Sequence, residues 1–267
     1  MTMQTTTATT EMKAAKIPTR WLAHALRAFG LVLLVSFLVQ PHWFEPVFRP
    51  LAPANAPAIY TQADLLVLTG QHLRTVLIAT VLASLLAITL AIIVTRPSCR
   101  EFLPLSRLVV NTGQTFPPVA VLALAVPMLG FGETPTLVAL FLYALLPIFE
   151  STLTGLANVP DVTKEAARGT GMTPWQSLMR VELPLALPVI LSGVRISVVI
   201  SLATATIGST VAAKTLGEVI IAGLQSSNMA FILQGGLLVG LLAIFVYDAL
   251  MAVERMVTGW QHVSRSR

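Results

Sequence analysis

Long apolar stretches recur along this chain, each far too long for a strand and each ended by proline, glycine or charge. They fall at about 22–40, 72–95, 105–129, 134–157, 184–212 and 229–255. A helix that crosses the hydrocarbon core needs about 20 mostly apolar residues, so the pattern predicts an all-α integral membrane protein with about six transmembrane helices. The first stretch stops at Pro41 and the second before Arg96-Pro97. The third contains Gln114-Thr115-Phe116-Pro117-Pro118. It must break or kink there, because two successive prolines remove two backbone donors and crowd the preceding turn.

Composition agrees and excludes alternatives. Of 267 residues, 55% are hydrophobic and 11% charged, against about a quarter charged in soluble domains. The mean hydropathy is +0.80. Too few polar side chains exist to cover a water-exposed surface, which argues against a soluble enzyme or a nucleic-acid-binding domain. The basic residues instead report orientation. Lys13, Lys16, Arg20 and Arg27, then Arg96, Arg100 and Arg107, then Lys164, Arg168 and Arg180, then Arg255, Arg265 and Arg267 all fall on one side of the predicted spans. Arg49 and Lys214 fall on the other, and Arg74 and Arg195 lie inside spans. The positive-inside rule then predicts cytosolic N and C termini in a multi-pass protein of the cell (inner) membrane.

The expected organisation is a polar, Thr-rich, disordered tail at 1–20, a first helix with an outer Pro-rich segment at 21–64, a core at 65–256 and a tail at 257–267. Small residues at A-x-A spacing within 52–58 raise the alternative of a cleaved leader. The long charged stretch before the apolar core and the crowded prolines favour a retained anchor. Trp43 and Phe44 are expected near the outer interface. Cys99, the sole cysteine, is expected to be a free cytosolic thiol.

One cytosolic loop, 158–183, is long enough to be a docking surface. Asp161 opens a short helix with an acidic residue that suits the helix dipole. Gly169 and Gly171 can end that helix in a left-handed turn. Thr173-Pro174-x-Gln176 restarts one as a capping box with proline at the first helical position, and Leu183-Pro184 is expected to close it. The product is a helix–turn–helix at the membrane surface. An ordinary amphipathic loop accounts for these features equally well.

The residue spacing adds something more specific. Glu165-Ala166-Ala167, then Gly171, then Val181-Glu182-Leu183-Pro184 resembles the EAA loop of ABC importer permeases, E-A-A-x3-G-x9-I/V-x-L-P. Gln71-His72-Leu73, Leu90–Arg96, Gln114–Pro118, Tyr143–Pro147 and Glu182–Ile190 look like the osmoprotectant permeases, which import glycine betaine, choline, carnitine and related quaternary ammonium compounds. The resemblance covers roughly 65–255. It departs at Ala212-Ala213-Lys214-Thr215-Leu216-Gly217, where relatives carry a Gly-Ala-Gly-Gly-Leu-Gly type segment, and at Glu150-Ser151, where they often have Arg-Asn.

The resemblance implies the type I ABC importer permease fold. It also implies two cytosolic ABC ATPase partners, a second permease (the same chain or a paralogue) and a periplasmic or surface solute-binding protein. Glu165, Ala166, Ala167, Gly171, Val181, Leu183 and Pro184 would couple to the ATPase. ATP and Mg would be bound by that partner and no cofactor by this chain, whose sequence has no G-x-x-x-x-G-K-[ST]. No catalytic residue, metal spacing or nucleic-acid partner is expected.

Gln114, Thr115, Phe116, Pro117 and Pro118 are pathway or gate candidates, because irregular backbone at membrane depth is tolerated only when buried in protein or lining a watered cavity. Glu150 and Arg195 join them as charges inside spans. A Glu150–Arg195 pair would tie the loop to the pathway; separate snorkelling or a cytosolic cavity would satisfy each alone. Met128, Phe131 and Tyr143 are candidate π faces for a cation, against ordinary apolar roles. Gly236-x-x-x-Gly240 fits close helix packing, within the subunit or at a dimer seam. His24 and His72 read as interfacial residues. An ion-coupled secondary carrier is the rival function, with Glu150 and Asp248 as its coupling carboxylates.

Overall fold

The computed structural model describes residues 19–259. Most of the tails expected at 1–20 and 257–267 lies outside the described residues, as do Lys13, Lys16, Arg265 and Arg267. In chain order the α-helices are α1 (Thr19–Val39), α2 (Glu45–Phe48), α3 (Leu65–Thr95), α4 (Leu103–Thr115), α5 (Pro118–Leu129), α6 (Glu133–Ala157), α7 (Asp161–Gly169), α8 (Pro174–Ser177), α9 (Leu183–Ala205), α10 (Gly217–Gln225) and α11 (Met229–Thr258). No strand occurs among the described residues.

Four helical runs are long and apolar enough to cross a membrane: Leu65–Thr95, Glu133–Ala157, Pro174–Val211 and Met229–Thr258. Two bent pairs raise the number to six. The chain turns by 115° between α1 and Pro41–Leu51, and by 94° between Pro97–Thr115 and Pro118–Leu129. The second pair acts as one broken crossing. Helices α3 and α6 run in the same direction, since Arg74 meets Glu133 at 3.8 Å near their starts and Val94 packs with Leu153 near their ends. α4 and α5 together must therefore carry the chain back.

Close approach between helices comes from small residues. Ala79, Ala83, Ala87 and Ala91 recur every fourth position on α3 and are fully buried. The last three pack with Ala144, Leu145, Ile148 and Phe149 of α6. In lipid, where apolar side chains gain nothing from leaving water, such stripes let backbones approach and gain dispersion contacts. α9 lies antiparallel to α6 by the same device. A Cβ on Gly193 would sit 2.8 Å from the Pro147 carbonyl oxygen, and the Ser197 hydroxyl donates to the Ala144 carbonyl at 2.9 Å.

Several expectations shift. α3 starts at Leu65, seven residues before the predicted span, because the Asp64 carboxylate accepts from the Leu66 and Val67 amides at 2.7 and 3.1 Å; the cap sets the start and the apolar run does not. Leu183-Pro184 does not close a helix. A π-turn at Leu178–Glu182, whose last bond runs from the Leu183 amide to the Leu178 carbonyl, widens the turn next to Pro184, so the helix continues through it. His72 is fully buried, not interfacial. Its Nε2 lies 3.1 Å from the Leu202 carbonyl, and its Nδ1 accepts from the Leu216 amide at 3.4 Å. Gly236 and Gly240 make no close contact within the subunit. Gly235, a quarter turn away, is the packing glycine and faces Ile220 and Val219.

At the end of the bundle opposite α7, the segment before α3 is strapped to α11. The Gln234 amide donates to the Ala58 carbonyl at 2.6 Å, and its oxygen accepts from the Tyr60 amide at 3.1 Å. Asn228 donates to the Pro57 carbonyl at 2.9 Å. The Tyr60 hydroxyl donates to Glu218 at 3.1 Å. Burial and the neighbouring carboxylate push that phenol well above its ordinary range, so it stays a donor.

Candidate coupling site and transport pathway

α7 is a nine-residue helix with Asp161 in its first turn and Arg168 in its last, each on the side the helix dipole favours. It ends in a Schellman motif: the Met172 amide reaches back to the Ala167 carbonyl at 3.2 Å and the Gly171 amide to the Arg168 carbonyl at 2.9 Å. Gly171 takes φ +80°. The restart at Thr173 is a full capping box, with the Gln176 amide 3.2 Å from the Thr173 hydroxyl and the Thr173 amide 2.9 Å from the Gln176 side-chain oxygen.

At 100° per residue the α7 side chains divide into three strips. Thr163 and Ala167 turn toward the bundle, and Ala167 is buried. Asp161, Lys164 and Arg168 line a cavity beside the ends of α3 and α6. Val162, Glu165, Ala166 and Gly169 are exposed, as is Trp175 just beyond. Of the seven loop residues singled out, Glu165, Ala166 and Gly171 lie exposed on the hairpin, while Ala167 is buried. Val181, Leu183 and Pro184 are half-buried at the root of α9.

The hairpin is held to the bundle by an acid that the spacing argument passed over. Glu182 is buried. It accepts from Arg96 at 2.9 and 3.4 Å and from the Ser177 hydroxyl at 3.3 Å. An arginine at one span mouth and a glutamate at the next were both visible in the sequence; only folding makes them meet.

The break between α4 and α5 falls where expected. Phe116 is extended at φ −83°, ψ 137°, and α5 begins at Pro118. Tyr143 of α6 spans the break: its hydroxyl donates to the Phe116 carbonyl, and its own carbonyl accepts from the Gln114 side chain at 2.9 Å. The Phe116 carbonyl, bared by the break, is thus satisfied by Tyr143, and the Tyr143 carbonyl, whose helical donor position is taken by Pro147, is satisfied by Gln114. Thr115, Phe116 and Pro117 are exposed and Gln114 and Pro118 half-buried. Met128 and Phe131 are also exposed, whereas Tyr143 serves as this clamp.

Glu150 and Arg195 do not meet. Glu150 forms a bidentate pair with Arg107 of α4 at 2.9 and 3.1 Å. Arg195 pairs with Glu254 of α11 at 2.5 Å and lies over the Tyr247 ring at 4.9 Å. Helical phase explains the difference. Ser151 and Gly193 form the α6–α9 contact. Glu150 is one residue from it, turned about 100° toward α4, and Arg195 is two residues from it, turned about 200° toward α11. Asp248 pairs with Arg27 of α1 at 3.0 Å.

A bundle of helical crossings, one of them broken, with a capped hairpin leading straight into a span, is the architecture of a polytopic membrane protein. Residues 87–255 match the family described as binding-protein-dependent transport system inner membrane component, and the chain belongs to that family. It is a multi-pass inner-membrane protein, and the ion-coupled carrier reading falls away. It is 42% identical over 191 residues to the osmoprotectant import permease protein OsmY of Salmonella typhimurium, covering 72% of this chain and 80% of that one. It is 38% identical over 195 residues to the glycine betaine/carnitine/choline transport system permease protein OpuCB of Bacillus subtilis, covering 73% and 89%. The fold resembles the MetNI methionine ABC transporter in its inward-facing conformation, with TM-score 0.64 and 23% identity over 73% of this chain and 96% of that one.

Proposed function

We propose that this chain is the permease subunit of an ATP-driven importer of quaternary ammonium osmoprotectants such as glycine betaine or choline. The exposed α7 strip of Val162, Glu165, Ala166 and Gly169 carries the reading, together with the likeness to the osmoprotectant and glycine betaine/carnitine/choline permeases. In this proposal both termini and loop 158–183 face the cytosol, where most basic residues lie. Residues 1–20 and 257–267 are cytosolic tails, 21–64 anchor the chain, and 65–256 form the permease core. The loop docks on a separate ATPase that binds ATP and Mg and hydrolyses the nucleotide. Two such ATPases, a second permease and an outer solute-binding protein complete the assembly.

The structure suggests how force would travel. Pro174–Val211 is one continuous helical rod, clamped at its base by Arg96–Glu182. Movement of the docked hairpin tilts this rod. α9 bears on α6 through contacts at Gly193 and Gly155 too tight to absorb the motion. α6 then acts on the α4–α5 break through Tyr143. Two-state rocking of this kind needs no covalent chemistry on the chain.

The test is uptake of labelled glycine betaine, choline and carnitine by vesicles containing the assembled complex, with ATP or an ion gradient as the energy source. ATP-dependent uptake is expected, and it should be lost when Glu165→Arg reverses the charge of the exposed strip. Uptake that follows an ion gradient without ATP would refute the proposal.

A further inference from the structure

The cavity behind α7 belongs to neither the docking strip nor the break. It has a volume of about 500 Å³ and is walled by the ends of α3 and α6, the start of α4 and the inner strip of α7. Its floor is apolar, with Val94, Leu153 and Leu156 buried beneath it. Its rim is basic. Arg96, Arg100, Arg107, Lys164 and Arg168 line it, against Asp161 and Glu182.

The acids do not neutralise this rim. Glu182 engages Arg96 at 2.9 Å, Asp161 engages Lys164 at 3.3 Å, and Glu150 from outside the cavity engages Arg107 at 2.9 Å. Arg100 and Arg168 form no ion pair among the described residues. Both are exposed. Arg96 also keeps a buried Nε–H with no acceptor. Two uncompensated guanidinium groups on the rim of one concavity call for an anion with several acceptor oxygens, which is the chemistry of a phosphate group.

The setting identifies the source of that phosphate. Phe102, Leu105, Leu108 and Val109 are exposed directly beside Arg100 and Arg107 along the start of α4. An apolar exposed strip next to a basic hollow at the mouth of the spans matches a phospholipid, with its acyl chains along α4 and its headgroup in the cavity. A freely diffusing phosphate would have no use for the strip. Basic pockets between transmembrane helices hold anionic headgroups in this way.

We propose that this cavity binds the phosphate of an anionic phospholipid, so that one lipid headgroup joins the mouth of α3 to the inner face of α7. Bound there, it neutralises Arg100 and Arg168 and fixes α7 from behind while its exposed strip stays free. The proposal holds whichever face of the membrane carries α7.

Native mass spectrometry of the full-length chain, released from nanodiscs of mixed phosphatidylglycerol and phosphatidylcholine, tests it. Wild type should retain phosphatidylglycerol in preference. The double variant Arg100→Gln/Arg168→Gln should lose about thirtyfold in that preference, each basic side chain near an anionic surface giving a factor of about five. Arg255→Gln, basic but outside the cavity, should behave as wild type. Added inorganic phosphate should not displace the lipid. Equal retention by the double variant overturns the proposal, and so does an equal loss in Arg255→Gln. Displacement by millimolar phosphate would make it a site for a soluble anion. Loss of a co-purifying ATPase from the double variant, with lipid retention unchanged, would make it a protein-docking surface. Either result overturns the lipid assignment.

Discussion

Replacing Gly171 isolates one backbone angle. The residue sits at φ +80° as the turn of the Schellman motif that ends α7, and a Cβ built on it would meet nothing within 4 Å. Any cost of substitution is therefore conformational and owes nothing to crowding. For an L-residue with a side chain the left-handed region costs about 1–2 kcal/mol, with β-branched residues at the upper end and Asn spared part of it. The expected order of loss is Val, then Ala, then Asn. Because the hairpin lies outside the packed bundle, the chain should still insert and fold. Hydrogen exchange reads the effect directly. The Gly171 and Met172 amides, bonded to the Arg168 and Ala167 carbonyls, should exchange about 5- to 30-fold faster in Gly171→Val, since 1.4 kcal/mol is a factor of ten. Amides of α3 and α6 should not change. ATPase stimulation by the permease should fall in the same order. Wild-type exchange in Gly171→Val would refute the reasoning. Asn as damaging as Val would show that the angle is not the cause.

Other substitutions test the packing and the break. In a double-mutant cycle, Arg195→Gln and Glu254→Gln should show a coupling of about 1–3 kcal/mol in thermal unfolding, because removing one partner strands a partly buried charge; Arg195→Gln with Glu150→Gln should be additive. Gly193→Ala places a Cβ 2.8 Å from the Pro147 carbonyl oxygen and should destabilise the α6–α9 contact by about 1–3 kcal/mol, measured by detergent-phase unfolding. Ala212 holds φ +63° without being glycine, so Ala212→Gly should raise stability by about 1 kcal/mol; a loss would mean its methyl packs usefully. In a Cys99→Ala background, Thr115→Cys and Phe116→Cys should react with a water-soluble thiol reagent, and protection in every transport state would remove the break from the pathway.

Much of this protein was legible from order along the chain. The apolar runs, Pro117-Pro118, Asp161, Gly171 and the Thr173–Gln176 box all act through neighbours within a few residues. Backbone donors, left-handed turns and caps are local chemistry, so residue type and spacing determine them. Helix phase across space is not local. Glu150 was visible as a charge inside a span, yet whether it meets Arg195 or Arg107 depends on which residue of α6 faces Gly193. A shift of one position turns a side chain by about 100°. The same phase decides that Gly235 packs while Gly236 and Gly240 face outward. It also decides that His72 is buried against α9. Glu182 and Arg96 lie 86 positions apart, and Tyr143 and Phe116 lie 27 apart. Their partnerships follow from the order in which the helices pack, which no periodicity along a single segment records.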